Sequence, residues 1–386
     1  MIIDRILAAK VAYAAKKFPI VSLTGPRQSG KTTLLREHFR KLPYVSLEDP
    51  DLRNFAQSDP RQFLSNYPSA VILDEVQHMP SLFSYIQTAS DLRNKTGQFI
   101  LSGSQNFLMN KKIPQSLAGR AGILKLLPFS MEEMQHHHFL KSNLWDQLHK
   151  GFYPRLFDKK IDPVMFYSSY VETYLKRDVQ DLVNVTDLNT FLKFLKLCAG
   201  RTGQLLNLSS LANDTGVAVN TVKSWLGILE ASYIIFLLQP YHQNFRKRLV
   251  KSPKMFFWDT GLASYLLGIK SSSELKTHFA KGALFENLVV AEYGKYFYNR
   301  GMNPDFYFWR DKTGNEIDCI IENRKKVRAI EIKSGTTVND DFFKGLLNFQ
   351  NLSKSADLAL VYGGNTKQTR TDIEVLGWKD MLEALK

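Results

Sequence analysis

Between residues 18 and 40 the chain reads strand, glycine turn, helix, and the turn is Gly25-Pro-Arg-Gln-Ser-Gly30-Lys31-Thr32. The apolar run Phe18–Thr24 predicts a strand, and a helical pattern follows the turn to about Arg40. In that context the spacing G-x-x-x-x-G-K-[ST] describes a phosphate-binding loop. Small glycines let backbone N–H groups wrap a phosphate, and the helix N-terminus adds a favourable dipole. Lys31 reaches the β- and γ-phosphates, and the Thr32 hydroxyl is a ligand for Mg²⁺. The expected cofactor-binding set is Gly25, Pro26, Arg27, Gln28, Ser29, Gly30, Lys31, Thr32, Thr33 and Ser104, with ATP and Mg²⁺ as cofactors.

Strand-like segments recur at Tyr44–Leu47, Ala70–Leu73, Phe99–Ser102 and Ile123–Leu127, with a helix over Leu82–Leu92. Strands alternating with helices imply βαβ units and a parallel sheet with helices on both faces. The apolar strand Ala70-Val-Ile-Leu delivers Asp74 and Glu75 at its C-terminal end. Asp74 would hold the Mg²⁺ shell, and Glu75 is placed to polarise an attacking water. The pair favours ATP hydrolysis over a small-molecule kinase, which has no need of a water-activating base. In a doubly wound sheet strand C-termini face the nucleotide crevice, so one of Ser104, Gln105 or Asn106 is expected to sense the γ-phosphate. Arg120, in Leu117-Ala-Gly-Arg, precedes the last strand of the unit. It is a candidate arginine finger acting on a neighbouring subunit, which implies a homo-oligomer.

Lys plus Arg number 51 against 37 Asp plus Glu, a formal charge of +14 over 386 residues. Such an excess points to nucleic acid, with DNA favoured, ahead of an anionic membrane. Cys198 and Cys319 cannot form a disulfide framework or a four-ligand zinc site, and read as structural thiols in a reducing compartment. The N-terminal stretch carries Asp4, Arg5 and Lys10 among Ile3, Ile6, Leu7 and Val11, the pattern of an amphipathic helix rather than a signal peptide. No run of 18 apolar residues occurs, so no membrane span is expected and the chain reads as cytoplasmic.

From about residue 151 the texture changes. Residues 164–200 read helical, with Tyr167, Tyr170, Val171, Tyr174 and Leu175 at spacings of three and four. Leu208–Leu229 has the form helix, turn at Gly216, helix from about Asn220, and a strand Tyr233–Leu238 follows. That order fits a winged helix-turn-helix, with Lys223, Arg246, Lys247 and Arg248 available to phosphates. Packing against neighbouring domains is an equal claim on this element.

Beyond residue 281 a helix over Leu284–Tyr298 precedes strands Asp305–Arg310, Glu316–Glu322 and Val327–Lys333. Strand alternation puts Glu331 and Lys333 on one face and Ile330 and Ile332 on the other, toward the core. A helix Glu (Glu286), a strand Asp (Asp318) and Glu331-Ile-Lys333 resemble the PD-(D/E)xK nuclease core. In that arrangement Asp318 and Glu331 chelate Mg²⁺ with help from Glu286, and Lys333 orients the attacking water. Solvated strands carry Glu-x-Lys commonly, so these residues permit cleavage without establishing it.

Taken in order, the motifs resemble the AAA+ ATPases of bacteria and archaea that carry a C-terminal DUF4143 domain. They are Thr24-Gly-Pro-Arg-Gln-Ser-Gly-Lys-Thr, Val45-Ser-Leu-Glu-Asp-Pro, Ile72-Leu-Asp-Glu-Val-Gln, Leu101-Ser-Gly-Ser, Leu117-Ala-Gly-Arg, Gly151-Phe-Tyr-Pro-Arg, Tyr174-Leu-Lys-Arg-Asp178-Val, Phe257-Trp-Asp-Thr-Gly-Leu, Gly282-Ala-Leu-Phe-Glu-Asn-Leu-Val and Ile330-Glu-Ile-Lys-Ser-Gly. Gly151-Phe152 departs from the Gly-Gly of many relatives. The resemblance implies an α/β fold: a P-loop AAA+ doubly wound parallel sheet over 1–150, a helical and winged-helix region over 151–255, and a PD-(D/E)xK nuclease-like α/β domain over 256–386. It also strengthens Arg120 as a finger. The expected function is ATP hydrolysis whose nucleotide state controls a nuclease-like domain acting on nucleic acid. The alternative is an ATP-gated DNA- or protein-binding switch with a catalytically idle nuclease-like domain.

Overall fold

A computed structural model of the chain describes residues 3–104, 117, 119–175, 187–241, 251–323, 326–370 and 372–385. The first unit comprises α1 (Ala8–Lys17), β1 (Ile20–Thr24), α2 (Lys31–His38), β2 (Tyr44–Ser46), α3 (Pro50–Ser58), α4 (Pro60–Ser65), β3 (Val71–Asp74), α5 (Leu82–Arg93), β4 (Phe99–Gly103) and β5 (Ala121–Lys125). Among the described residues these five strands form one parallel sheet in the order β2-β3-β4-β1-β5. Every residue of β1, β3 and β4 is buried, as a sheet covered on both faces requires. Val21, Leu23, Ile72 and Ile100 pack on Val11, Leu34 and Leu35 from α1 and α2. Val71, Leu73, Phe99 and Leu101 pack on Phe63, Leu82, Phe83 and Ile86 from α4 and α5.

The sequence reading assigned no helix to residues 50–65, where α3 and α4 lie. Their signal is nonetheless local. Asp49 accepts from Asp51 N and Leu52 N, Asp59 accepts from Gln62 N, and each is followed by a proline at the first helical position.

The middle of the chain is helical: α6 (Met131–His136), α7 (Leu144–Lys150), α8 (Pro154–Asp158), α9 (Pro163–Tyr170), α10 (Leu188–Ala199), α11 (Leu208–Thr215) and α12 (Val219–Ala231). Of the helix expected over 164–200, α9 passes into a π-helical turn, Val171–Leu175, and α10 begins at Leu188 after an extended Asp187, with residues 176–186 outside the described residues. Lys176, Arg177, Asp178 and Val179 of the family motif lie outside the described residues. Gly216, at φ 88°, caps α11 in the left-handed conformation that the turn to α12 needs. A two-stranded antiparallel hairpin, β6 (Ile235–Leu238) with β7 (Lys254–Phe257), follows with Ile235 opposite Phe257 and Leu238 opposite Lys254. The strand starts two residues later than expected, because Tyr233 sits at φ 56°. Lys223 is exposed on α12; Arg246, Lys247 and Arg248 lie outside the described residues.

The last unit contains α13 (Thr260–Leu266), α14 (Ser272–Thr277), α15 (Lys281–Asn299), β8 (Phe306–Arg310), β9 (Glu316–Asn323), β10 (Lys326–Lys333), α16 (Lys344–Leu352), β11 (Asp357–Tyr362), β12 (Gln368–Arg370) and β13 (Ile373–Gly377). Among the described residues its strands form a mixed sheet in the order β12-β13-β11-β10-β9-β8. Ile330 and Ile332 face Leu284, Phe285 and Leu288 of α15, as strand alternation predicts. Val327 and Ala329 face Leu346 and Phe349 of α16 on the other side. One continuous buried cluster runs from Phe129 to Ala384, so the middle helices and α15 share a core. Cys198 and Cys319 are buried free thiols in it. No helix among the described residues is long and apolar enough to cross a membrane.

Candidate functional site

The loop after β1 is held by close backbone packing. A Cβ on Gly25 would fall 2.0 Å from Leu126 O, and Gly30, at φ 95°, turns the chain into α2. Lys31 is buried, and its Nζ donates to Gly25 O and Pro26 O at 2.8 Å each. The loop opens on a cleft of about 780 Å³ lined by Arg27, Gly30, Lys31, Thr32 and Thr33, and by Pro154, Arg155 and Asp158 of α8. That volume suits a nucleotide-sized ligand.

β3 lies two strands from β1 in the sheet, and its C-terminal end brings the acidic pair alongside the loop. Thr32 Oγ1 donates to Asp74 Oδ2 at 2.7 Å. Tyr44 OH donates to the same oxygen at 2.7 Å, and Ser102 donates to Oδ1. Burial and the Asp74 contact both push the Tyr44 phenol well above its ordinary pKa, so it stays a donor. The Thr32 hydroxyl and the Asp74 carboxylate are hard oxygen donors side by side, a set that fits Mg²⁺. Glu75 adopts φ 54°, an unusual conformation for a glutamate that points to a functional constraint. Its Oε2 accepts from Ser104 Oγ at 3.0 Å and from Gln77, which also donates to Ser104 Oγ at 3.1 Å. Glu48, Glu75 and His78 each bring a ligand atom within 4.8 Å of the others. Ser104 therefore touches Glu75; Gln105 and Asn106 lie outside the described residues. Tyr44, Ser102, Gln77 and His78 were not singled out from sequence. Gln77 and Ser102 stand inside motifs that were, whereas no local signal marked Tyr44.

A second unforeseen residue fixes the loop from behind. Arg5, 6% exposed, donates from Nη1 to Ser29 O and from Nη2 to Leu127 O at 2.7 Å each, and its Nε meets Glu133 Oε1 at 2.9 Å. Glu133 closes a capping box with Ser130 on α6. Next to it, Met131 N donates to Glu292 Oε2 at 2.6 Å, and Lys295 Nζ donates to Glu292 Oε1 and Phe129 O at 2.8 and 3.0 Å. Burial raises the Glu292 pKa against the pull of Lys295. A buried polar chain thus links the phosphate loop to α15.

Arg120 lies at the opposite end of the sheet from the loop, since its carbonyl accepts from Ile20 N at the start of β1. Its guanidinium makes two hydrogen bonds to Asp91 of the same chain, at 2.6 and 2.9 Å. It cannot serve the nucleotide of its own chain from there.

In the last unit Glu286, Glu316, Asp318, Glu331 and Lys333 do come together, around a residue the sequence did not mark. Lys254, from β7, reaches Glu286 Oε1 at 2.8 Å, Asp318 Oδ1 at 3.8 Å and Glu316. Lys333 pairs with Glu331. Asp318 Oδ2 accepts from Ile332 N at 2.8 Å. Burial, then Asp318, raises Glu286 to about 7 and Glu331 to about 8. Burial works against the Lys254 charge, yet Glu286, Asp318 and Glu316 hold its pKa above the ordinary lysine value. Among the described residues Glu286, Asp318 and Glu331 do not bring one oxygen each within 4.8 Å of one another. Lys254 pairs with Glu286, Glu316 and Asp318, and Lys333 pairs with Glu331, so ammonium groups stand beside the carboxylates expected to ligate a metal.

A glycine-rich loop and strand-end acids on a five-stranded parallel sheet define a P-loop nucleotide-binding protein. Residues 17–135 match the family model described as an AAA domain, and 281–381 match the domain of unknown function DUF4143. The chain thus combines an AAA domain with a DUF4143 domain; residues 141–273 between them match the domain of unknown function DUF8612. An uncharacterized protein of Mycobacterium tuberculosis is 29% identical over 374 residues, covering 95% of this chain and 82% of the relative. One from Haemophilus influenzae is 22% identical and covers 93% of each chain. Among solved structures, a Walker-type ATPase of Pyrococcus abyssi aligns with a TM-score of 0.43 at 14% identity, over 67% of this chain and 94% of its own. AMPPCP-bound DnaA from Aquifex aeolicus aligns with a TM-score of 0.29 at 14% identity, over 58% and 86%.

Proposed function

We propose that this chain is an Mg²⁺-dependent, ATP-hydrolysing switch whose nucleotide state acts on its C-terminal domain. The observation that carries the reading is the convergence of Lys31, Thr32, Asp74 and Glu75 at one end of the parallel sheet, beside the 780 Å³ cleft. Lys31 offsets phosphate charge, Thr32 and Asp74 would hold Mg²⁺, and Glu75 orients the water that attacks the γ-phosphate. Bound Mg²⁺ would supply neutralisation of the phosphate charge. Lys31→Ala is expected to weaken ATP binding by about 100-fold, the loss of a buried charge-assisted contact. Unchanged affinity in a fluorescent-nucleotide titration would overturn the reading. Arg120 is proposed to act in trans, its half-buried guanidinium leaving Asp91 for the nucleotide of a neighbouring copy.

For the chain we propose binding to nucleic acid, DNA being favoured, through the middle region that carries the helix pair. The support is the charge of +14 and exposed Lys223 on the second helix of the pair that precedes a hairpin. Neutralised phosphates release counterions, so affinity for duplex or single-stranded DNA is expected to fall ~10³–10⁵-fold between ~50 and ~200 mM salt. Absence of binding at ~50 mM salt counts against it. Whether the C-terminal domain also cleaves rests on Asp318 and Glu331 sharing a divalent ion. The pairing of Lys254 with Glu286, Glu316 and Asp318 favours the catalytically idle form of this domain. Incubation with plasmid and Mg²⁺ or Mn²⁺, with and without ATP, separates the two: cleavage lost in Lys333→Ala restores the nuclease reading.

A further inference from the structure

Lys254 is a residue of the hairpin, not of the sheet whose acids it neutralises. Its side chain is 3% exposed, with Glu286 Oε1 at 2.8 Å, Asp318 Oδ1 at 3.8 Å and Glu316 in contact. The Lys254 ammonium, with Arg310 on the far oxygen of Glu316 and Lys333 on Glu331, therefore stands where the carboxylates would otherwise repel one another or recruit a cation from solution. The neighbouring backbone leaves room for this and little more: a Cβ on Gly203, itself at φ 75°, would lie 3.2 Å from Glu286 Oε2. Glu331, 7% exposed, keeps Oε2 buried without a hydrogen-bond partner, so the cluster still presents an acceptor to a second cation.

The other end of the hairpin meets the phosphate loop. Opposite Lys254 stands Leu238, and the ladder runs back to Ile235 opposite Phe257. Beyond it Trp258 N donates to Ile234 O at 3.0 Å, and the Trp258 ring stacks on Phe236 with centroids 4.1 Å apart. Tyr233 OH shares a 2.5 Å hydrogen bond with Thr24 Oγ1, on the residue just before Gly25. Gly25 O is one of the two carbonyls that hold Lys31 Nζ. A phosphate that draws Lys31 off those carbonyls therefore acts one residue from the Tyr233 contact. The strand Ile235–Leu238, which joins these two ends, spans ~10 Å at ~3.3 Å per residue.

We propose that Lys254 is a tethered cation that seals the acidic cluster of the C-terminal domain, and that the β6–β7 hairpin makes its seating answer to the phosphate loop. The seal stands on the ion pairs alone; the coupling rests on the nucleotide-switch reading given above. Nucleotide binding shifts the hairpin at Tyr233 and lifts Lys254 from Glu286, Glu316 and Asp318. While Lys254 is seated, a divalent ion is excluded from these carboxylates.

Two measurements on the full chain test this. The first is Mn²⁺ titration without nucleotide, read by the electron paramagnetic resonance signal of free Mn²⁺. The wild-type chain and Asp318→Asn should bind alike. Lys254→Met should gain a site at least ~10-fold tighter, lost again in Lys254→Met/Asp318→Asn. Because Lys254→Met strands carboxylates, Lys254→Met/Glu286→Gln removes one of them and should show the same gain. No gain in either variant overturns the seal. The second is acetylation of Lys254 by an N-hydroxysuccinimide ester, followed by mass spectrometry. Labelling should rise at least ~10-fold with a non-hydrolysable ATP analogue. In Tyr233→Phe, which loses only the hydroxyl, labelling should no longer respond to the analogue. Unchanged wild-type labelling despite measured analogue binding overturns the coupling. Failure to bind the analogue at all removes the coupling together with the switch reading, while the Mn²⁺ titration still decides the seal.

Discussion

Glu75→Gln is expected to bind ATP as the wild type does and to hydrolyse it ~10²–10⁴-fold more slowly, the span that a positioned general base contributes. The amide keeps the size and one oxygen of the carboxylate but cannot draw a proton from water. The surrounding geometry makes the substitution conservative for folding. Gln77 and Ser104 both donate to Glu75 Oε2, and an amide oxygen can still accept from them, though without the assistance of a charge. The backbone at φ 54° is already held by the flanking strand and turn. A single-turnover assay with excess enzyme isolates hydrolysis from product release. Wild-type turnover in this variant would remove Glu75 from the role of base and pass it to another group near the cleft.

Arg5→Ala should destabilise the chain by about 3–5 kcal/mol, the cost of breaking a buried pair and leaving its partner uncompensated. Arg5 is buried at 6% exposure and serves Glu133, Ser29 O and Leu127 O at once. Truncation strands the Glu133 carboxylate and two carbonyls. Because Ser29 belongs to the phosphate loop, the variant should also lose nucleotide affinity under conditions where it remains folded. Urea unfolding followed by circular dichroism measures the first effect; a shift below about 1 kcal/mol, the scale of an exposed pair, would show that Arg5 is not buried in solution. Arg5→Lys should recover only part of the loss, because one ammonium cannot match the guanidinium fork.

Arg5 also marks the limit of sequence reading for this chain. It sits in an amphipathic N-terminal segment whose apolar positions Leu7 and Val11 are buried as the periodicity predicts. Helical periodicity treats a charged residue on such a segment as solvent-facing. Its three partners lie 24, 122 and 128 positions away, and no local pattern encodes them. The same holds for Tyr44, which reaches Asp74 across neighbouring strands, and for Lys254, which reaches acids on α15 and β9. The miss at α3 and α4 is of another kind. Asp49-Pro50 and Asp59-Pro60 are helix starts written in adjacent residues, and the capping rules that read them were available.

The sequence by itself determined the phosphate loop, the acidic strand end, the parallel α/β sheet that must hold them, and the alternation that buries Ile330 and Ile332 while turning Glu331 to the other face. Each is a local property: a turn that only glycine can make, a period of two or of 3.6, a strand end that points toward the crevice. Tertiary structure alone decided what neutralises the acids of the C-terminal domain. Spacing brought Glu286, Asp318 and Glu331 together and suggested a metal among them, but the charge balance of a buried cluster depends on every element packed around it. Here a hairpin far from the motif supplies Lys254, whose buried ammonium stands among Glu286, Glu316 and Asp318. Pairing between elements remote in the chain is a property of packing, and no window of sequence contains it.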